Sequence, residues 1–197
     1  DPTLTTKTSQ QITSDVIQTI KDYDNDNLTD FGNDFRKSKL TALIDATDPS
    51  IISNSTTVRA IYKIAPVRQV TQRISFSFSN PLYHPANYAY RVGELETVKT
   101  NSFIYYKNNI YYNAFISDDG FGKLRVYYVT PTSVVTVLEP DIGTVDYRTG
   151  DVVVDLYPYN YTTTIDFFAK IDTDDINVKE NKFLRLDYGK IVVVVRP

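Results

Sequence analysis

The 197-residue chain contains no cysteine, no methionine and no tryptophan, one histidine and only seven glycines. Each absence closes off a class of chemistry. Without cysteine there is no disulfide scaffold, no thiolate metal site and no cysteine nucleophile. A single histidine, His84, excludes a histidine-rich zinc centre and any histidine pair. The scattered glycines form neither a Gly-x-Gly-x-x-Gly fingerprint nor a phosphate loop, and no Gly-x-Ser-x-Gly elbow accompanies His84. No apolar run approaches the roughly 18–20 residues of a membrane helix. No basic stretch followed by an apolar block opens the chain, so no signal peptide is in view. Lysine and arginine (21) are outnumbered by aspartate and glutamate (24), which leaves no basic field to recruit nucleic acid. Methionine is missing even at position 1, which points to a piece of a longer protein.

What the chain does have is aspartate and tyrosine. There are 16 Tyr and 10 Phe, residue types that suit half-buried pleated surfaces. Aspartate far outnumbers glutamate, and aspartate favours caps and turns where glutamate favours helix interiors. These residues are unevenly spread. Residues 1–60 hold only the aromatics Tyr23, Phe31 and Phe35 and a single glycine, and they carry the whole net charge of -3. The shift predicts a helical segment over residues 1–57 and a β-rich domain over 58–197.

In the first segment, Ile12, Val16, Ile17 and Ile20 fall on one face of a helix capped at Ser9, which fades through Asp22–Asn27. Leu40, Leu43 and Ile44 predict a second helix over about 38–46, stopped by Asp48-Pro49. Beyond it, alternation and β-branched runs predict strands at 58–65, 74–78, 103–106, 110–115, 124–129, 134–138, 143–147, 152–156, 165–169, 183–186 and 191–195. The last of these, Ile-Val-Val-Val-Val, reads as a strand buried on both faces. Residues 80–85 read as a loop, and Lys107-Asn108-Asn109 and Asp118–Gly122 as turns. Arg148, Thr149 and Gly150 predict a three-residue hairpin loop with Gly150 at positive φ. The fold class expected is α+β: two short N-terminal helices followed by a mostly antiparallel β-rich body.

Four motifs invite a chemical reading. Asp22, Asp24, Asp26 and Asp30 imitate a calcium loop, but Asn27 stands where the turn needs glycine and Asn33 where a bidentate glutamate should close the site. Asp118-Asp119 and Asp172, Asp174 and Asp175 offer paired carboxylates, yet each group sits among turn residues, and turn chemistry accounts for it. His84 reads as a loop-packing residue. Asn27, Asn54 and Asn160 begin glycosylation triplets, which arise by chance in a chain rich in Asn and Thr. No catalytic, cofactor-binding or metal residue is therefore expected. The tyrosines are the remaining functional feature, chiefly Tyr105, Tyr106, Tyr111, Tyr112, Tyr127, Tyr128, Tyr157, Tyr159 and Tyr161. Exposed tyrosine serves protein interfaces and sugar platforms alike, and the lack of tryptophan favours protein contact.

Three stretches carry a family resemblance. They are Phe35-Arg-Lys-Ser-Lys-Leu40 continuing through 43–51 to Asn54-Ser55, then Ser102-Phe103 followed by 118–127, and 142–150. In content, order and spacing they resemble the baseplate wedge proteins of T-even-like contractile-tailed phages, within the baseplate-J-like group, over roughly residues 12–195. The resemblance implies a non-enzymatic structural protein of the tail baseplate in the virion, assembled in the host cytoplasm. Its C-terminal region contacts neighbouring copies in the ring that relays sheath contraction, and its larger N-terminal part docks other wedge subunits. Expected partners are a second copy, as a homodimer, and other baseplate wedge proteins, with no nucleic acid, membrane or small-molecule substrate. The expected self-contact uses the apolar faces of the two helices, with exposed tyrosine at the rim. The alternatives are a carbohydrate-binding or adhesin β-sandwich and, further off, a glycan-degrading enzyme.

Overall fold

The computed structural model describes residues 4–84, 96–178 and 183–196. The chain divides into two compact units, residues 1–58 with 174–197, and residues 59–173.

The first unit is built on two helices, α1 (Ser9–Asn27) and α2 (Lys37–Asp45). Thr8, one residue before the expected cap, starts α1 with a reciprocal box: its hydroxyl accepts from the Gln11 amide while Gln11 Oε1 accepts from the Thr8 amide. Ile12, Val16 and Tyr23 are buried on α1, and Leu40 and Ile44 on α2. The helix does not fade at Asp22. It continues to Asn27 because Tyr23 packs edge-on against Phe35, 5.7 Å between ring centroids. Asp48 is pulled down to a pKa of about 2, first by the Ser50 hydroxyl and amide and then by Lys7. Residues 183–196 contain no strand. A 3-10 turn, Tyr188–Lys190, interrupts them, and Val192 and Val194 are exposed. The two strands expected here, including the doubly buried one, are absent: among the described residues no strand forms a ladder with 183–196.

The second unit is a nine-stranded sheet in which every pairing is antiparallel. Its strands are β1 (Ala60–Ile64), β2 (Gln72–Ser77), β3 (Val98–Thr100), β4 (Phe103–Lys107), β5 (Ile110–Asp118), β6 (Lys123–Val129), β7 (Val135–Asp146), β8 (Asp151–Leu156) and β9 (Ile165–Ala169). The order is β1-β9-β3-β5-β6-β7-β8-β2, with β4 paired to β5. The sheet curls into a half-barrel. Its terminal strands approach through side chains, with Tyr62 of β1 stacked on Phe76 of β2 at 4.3 Å and Phe76 against Phe167 of β9 at 5.0 Å. Ile116, Leu124, Val126, Val152, Val154, Ile165 and Phe167 are wholly buried.

The α+β expectation is thereby corrected. With 35% strand against 18% helix, the chain is a mostly antiparallel β half-barrel with two helices. The physical reason is that the strands form one continuous curled sheet whose inner face folds onto itself through the aromatic contacts across β1, β2 and β9. A second correction concerns 134–138 and 143–147, which are one strand, β7. Pro140 cannot donate to a ladder, and it falls where the β6–β7 register jumps from Leu124↔Gly143 to Val126↔Glu139, so the bulge carries the proline without ending the strand.

Turn chemistry was largely legible. Asn108 and Asn109 both take positive φ between the paired Lys107 and Ile110, the two-residue hairpin expected. The β7–β8 loop has four residues rather than three, because Asp146 pairs with Asp151. Gly150 is at φ 77, and its amide bonds to the Asp146 carbonyl at 2.8 Å. A Cβ there would strike the Asn80 carbonyl oxygen and stand 3.3 Å from Phe78 Cβ. Gly150→Val is therefore expected to cost about 2 kcal/mol from positive φ and crowding together. An unchanged midpoint in thermal denaturation would refute this. In the 80–85 loop, Leu82 bridges Ile171; Pro85 lies outside the described residues.

Candidate functional site

The acidic residues singled out in the sequence go to three places, and in each the structure commits two of them to hydrogen bonds: Asp22 and Asp24, Asp174 and Asp175, and Asp118 and Asp119. On a helix, successive residues turn by 100°, so Asp24 points about 200° away from Asp22 and Asp26. Asp22 accepts from Gln18 Nε2 at the exposed surface. Asp24 is fully buried and receives Arg185 Nε at 3.0 Å, the Leu186 amide at 3.1 Å and the Tyr188 hydroxyl at 2.6 Å. Part of the supposed calcium loop is thus a clamp from α1 onto residues 185–188. Tyr188 is pushed above its ordinary pKa, chiefly by that bond to Asp24. Among the described residues no group of three or more acidic or histidine side chains converges as a metal site.

Asp174 and Asp175 serve α2. Its N-cap, Arg36, supplies no capping side chain. Instead Asp175 Oδ1 accepts the Lys37 amide at 2.9 Å, and its other oxygen takes Arg36 at 3.1 Å. These two contacts, the backbone one first, hold the Asp175 carboxyl below its usual range. Asp174 pairs with Lys37 Nζ at 2.8 Å, and Phe35 and Ile176 exchange backbone bonds of 2.9 and 3.0 Å. A cap contributed from 138 residues away leaves no local signature.

Asp118 is a carboxyl whose pKa is pushed upward on folding. At the end of β5 it is fully buried, and its oxygens accept the Val98 amide and the Tyr147 hydroxyl, each at 2.8 Å. Burial, followed at a distance by the charge of Glu96, outweighs those donors and raises its pKa to about 6. His84 stacks on Tyr147, ring centroids 4.1 Å apart, with Nε2 2.7 Å from the Gly120 carbonyl. Its neighbour Asp119 caps a turn, accepting from the Phe121 and Lys123 amides. The two carboxylates of the pair therefore act apart. Sequence reading missed the Asp118–Tyr147–His84 grouping because its members come from three segments.

A carboxyl whose pKa rises on folding stabilises the fold while protonated. Stability from Asp118 is present below the unfolded value of 3.8 and lost as pH climbs through about 6. Asp118→Asn keeps an acceptor for Val98 and removes the charge. Its stability should match the parent's near the unfolded value and exceed it at neutral pH by on the order of 2–3 kcal/mol. Urea titrations across that range check this; parallel curves would contradict it.

The tyrosines mostly contact one another. Tyr106, Tyr111 and Tyr159 cluster with centroids 4.8–5.7 Å apart, and Tyr112 lies 4.7 Å from Tyr128. Tyr127 is buried and pushed up to about 12 by that burial, while Tyr128 beside it is half-buried. Tyr105 reaches Glu139 at 3.3 Å, and the Tyr161 hydroxyl donates to the Pro66 carbonyl. Tyr157 is half-buried. Of the triplet asparagines, Asn54 Nδ2 donates to the Thr41 carbonyl and to Asp45, and Asn27 Nδ2 to the Tyr23 carbonyl. Asn160 Oδ1 accepts the amide of Tyr161.

The architecture is that of an antiparallel half-barrel accompanied by a two-helix unit whose acids serve as clamps and caps. Residues 3–62, which contain both helices, match the family model of baseplate structural protein gp6, C-terminal domain III. The match covers the first of the three resembling stretches, and those at 102–127 and 142–150 lie outside it. It supports a phage baseplate protein, without reaching the narrower baseplate-J-like group. No curated protein matches the chain. No described helix is long and apolar enough to cross a membrane.

Proposed function

We propose that the chain is a non-enzymatic structural component of the wedge ring in a contractile phage tail baseplate. In this reading copies contact one another and other wedge proteins, and the ring relays the signal for sheath contraction. The match of residues 3–62 to a baseplate structural domain carries the reading. Its place is the virion, after assembly in the host cytoplasm, and it calls on no cofactor, nucleic acid, membrane or small substrate. Support for a non-enzymatic role comes from the acids: Asp24, Asp118 and Asp175 all spend their oxygens on backbone amides and neighbouring side chains.

One expectation about the interface changes. Ile12, Val16, Leu40 and Ile44 are already buried in the single chain, so the helix faces do not require a second copy. The sugar-platform alternative loses ground too, since the Tyr106, Tyr111 and Tyr159 rings are inclined to one another by 38–61° and offer no common plane. Sedimentation velocity over a dilution series tests the assembly reading. A dimer is expected at tens of micromolar, dissociating on dilution and only mildly sensitive to salt. A strict monomer throughout would remove the homo-oligomeric part, and saturable glycan binding would restore the alternative.

A further inference from the structure

Residues 191–196 form neither helix, turn nor ladder, and Ile191 at their start has extended backbone. Their side chains alternate: Ile191, Val193 and Val195 are half-buried, while Val192 is 83% and Val194 72% exposed. Among the described residues, none of 192–196 makes a hydrogen bond. Strand β8 behaves differently. Its Val152, Val153 and Val154 have much the same composition, but they are laddered on both sides, by β7 and by β2, and Val152 and Val154 are wholly buried. The 191–195 run is thus a fully β-branched strand sequence lacking its strand partner. It is held at its base, since Asp24 grips Arg185, Leu186 and Tyr188, and Asp187 accepts the Gly189 amide at 3.1 Å. A segment fixed in this way gives up less conformational freedom on pairing.

An extended run with unpaired backbone groups is complementary to an open sheet edge. In the half-barrel, β2 presents such an edge. Among the described residues it pairs only with β8, in unbroken register over all six residues from Gln72 to Ser77. It carries no proline, lysine or bulge, and its one charge, Arg73, pairs with Asp155 of β8; the other terminal strand, β1, has five residues and Lys63. Two 191–195 runs pairing only with each other would make an isolated ribbon, which is marginal in water, while addition to β2 extends an existing sheet.

We propose that residues 191–195 add as a strand to the free edge of β2 in a second copy of this chain. Strand and edge lie on the same chain, so the exchange can be reciprocal and close on a two-fold axis. The inference rests on the self-association reading and specifies its surface.

The absence of cysteine makes the test direct, because two introduced thiols are the only ones present. Full-length Val194→Cys carrying a mass tag is mixed with untagged full-length Ser75→Cys, with Arg73→Cys and Ser77→Cys as register alternatives, and oxidised. A mixed disulfide between the two chains is expected with at least one of the three, since adjacent strands bring side chains within bridging distance. Adding Val193→Pro to the tagged chain, with its far-ultraviolet spectrum unchanged, should abolish the bond. The proposal is overturned if Val194→Cys bonds only to itself, if Val193→Pro cross-links as well as its parent, or if the bond forms within a Val194→Cys/Ser75→Cys double variant but never across the mixture. Sedimentation of the unmodified chain separates the failures. A dimer that persists without any mixed disulfide places self-association on another surface. A strict monomer removes both readings.

Discussion

Gly143→Ala is expected to lose at least about 3 kcal/mol of stability. Gly143 sits on β7, where the ladder to β6 has just passed the bulge, and it faces Val154 of β8. A Cβ there would run into the Val153 carbonyl oxygen and stand 2.8 Å from Val154 Cα. Both obstacles are backbone atoms of a central strand, so neither can swing aside as a side chain would. To admit the methyl group, β7 and β8 must separate where Val152 and Val154 enter the core. Gly32 is the control. It also has positive φ, +80, but nothing lies within 4 Å of its added Cβ. Gly32→Ala should cost only the backbone strain, about 1–2 kcal/mol. Urea unfolding of both variants checks the contrast, and equal losses would show that crowding at Gly143 is not the cause.

Asp24→Ala should cost about 3 kcal/mol and release residues 185–190 from α1. The side chain is fully buried and serves three donors, so its removal takes the acceptor from the half-buried Leu186 amide, while the exposed Tyr188 can turn its hydroxyl to water. Arg185 is half exposed and can turn to solvent, which keeps the loss below that of a doubly buried ion pair. Two local readouts distinguish the clamp from a general packing defect. The Leu186 amide should exchange far faster with solvent deuterium, and the Tyr188 phenol, now above its ordinary pKa because of Asp24, should titrate closer to that value. Asp24→Asn retains one acceptor and should fall between. An Asp24→Ala chain with a protected Leu186 amide would refute the clamp. If the 191–195 run acts as proposed, the same variant should also weaken cross-linking to β2, because the segment loses its fixed base.

How much of this was legible depends on how far apart the cooperating residues lie. Strand β9 was read at its observed bounds, because Ile165, Phe167 and Ala169 alternate and one buried face is enough to specify a strand. The Asn108-Asn109 hairpin and the positive φ of Gly150 were legible for a similar reason: turn geometry is imposed by residues within four positions of each other. The first part of α1 follows from Ile12 and Val16. Its last turn does not, since Asp-Asn-Asp reads as a helix end until Tyr23 is seen packed on Phe35 and Asp24 clamped to a segment more than 160 residues away.

Strand β3 left little trace, being three residues long and held by β9 and β5. The 191–195 run misled in the opposite direction. Its β-branched composition is stronger than that of any observed strand, but a strand needs a neighbour as well as a propensity. Amino-acid order by itself determined most of the turns, the approximate start of α1 and the alternating faces, because those are settled by contacts a few residues long. Tertiary structure alone decided that the strands close into one curled sheet, that Pro140 rides in a bulge, that Asp118 is buried and Asp175 caps α2, and that the most strand-like segment lies unpaired. Each of those outcomes depends on which distant backbone groups meet, and a local window carries no information about that.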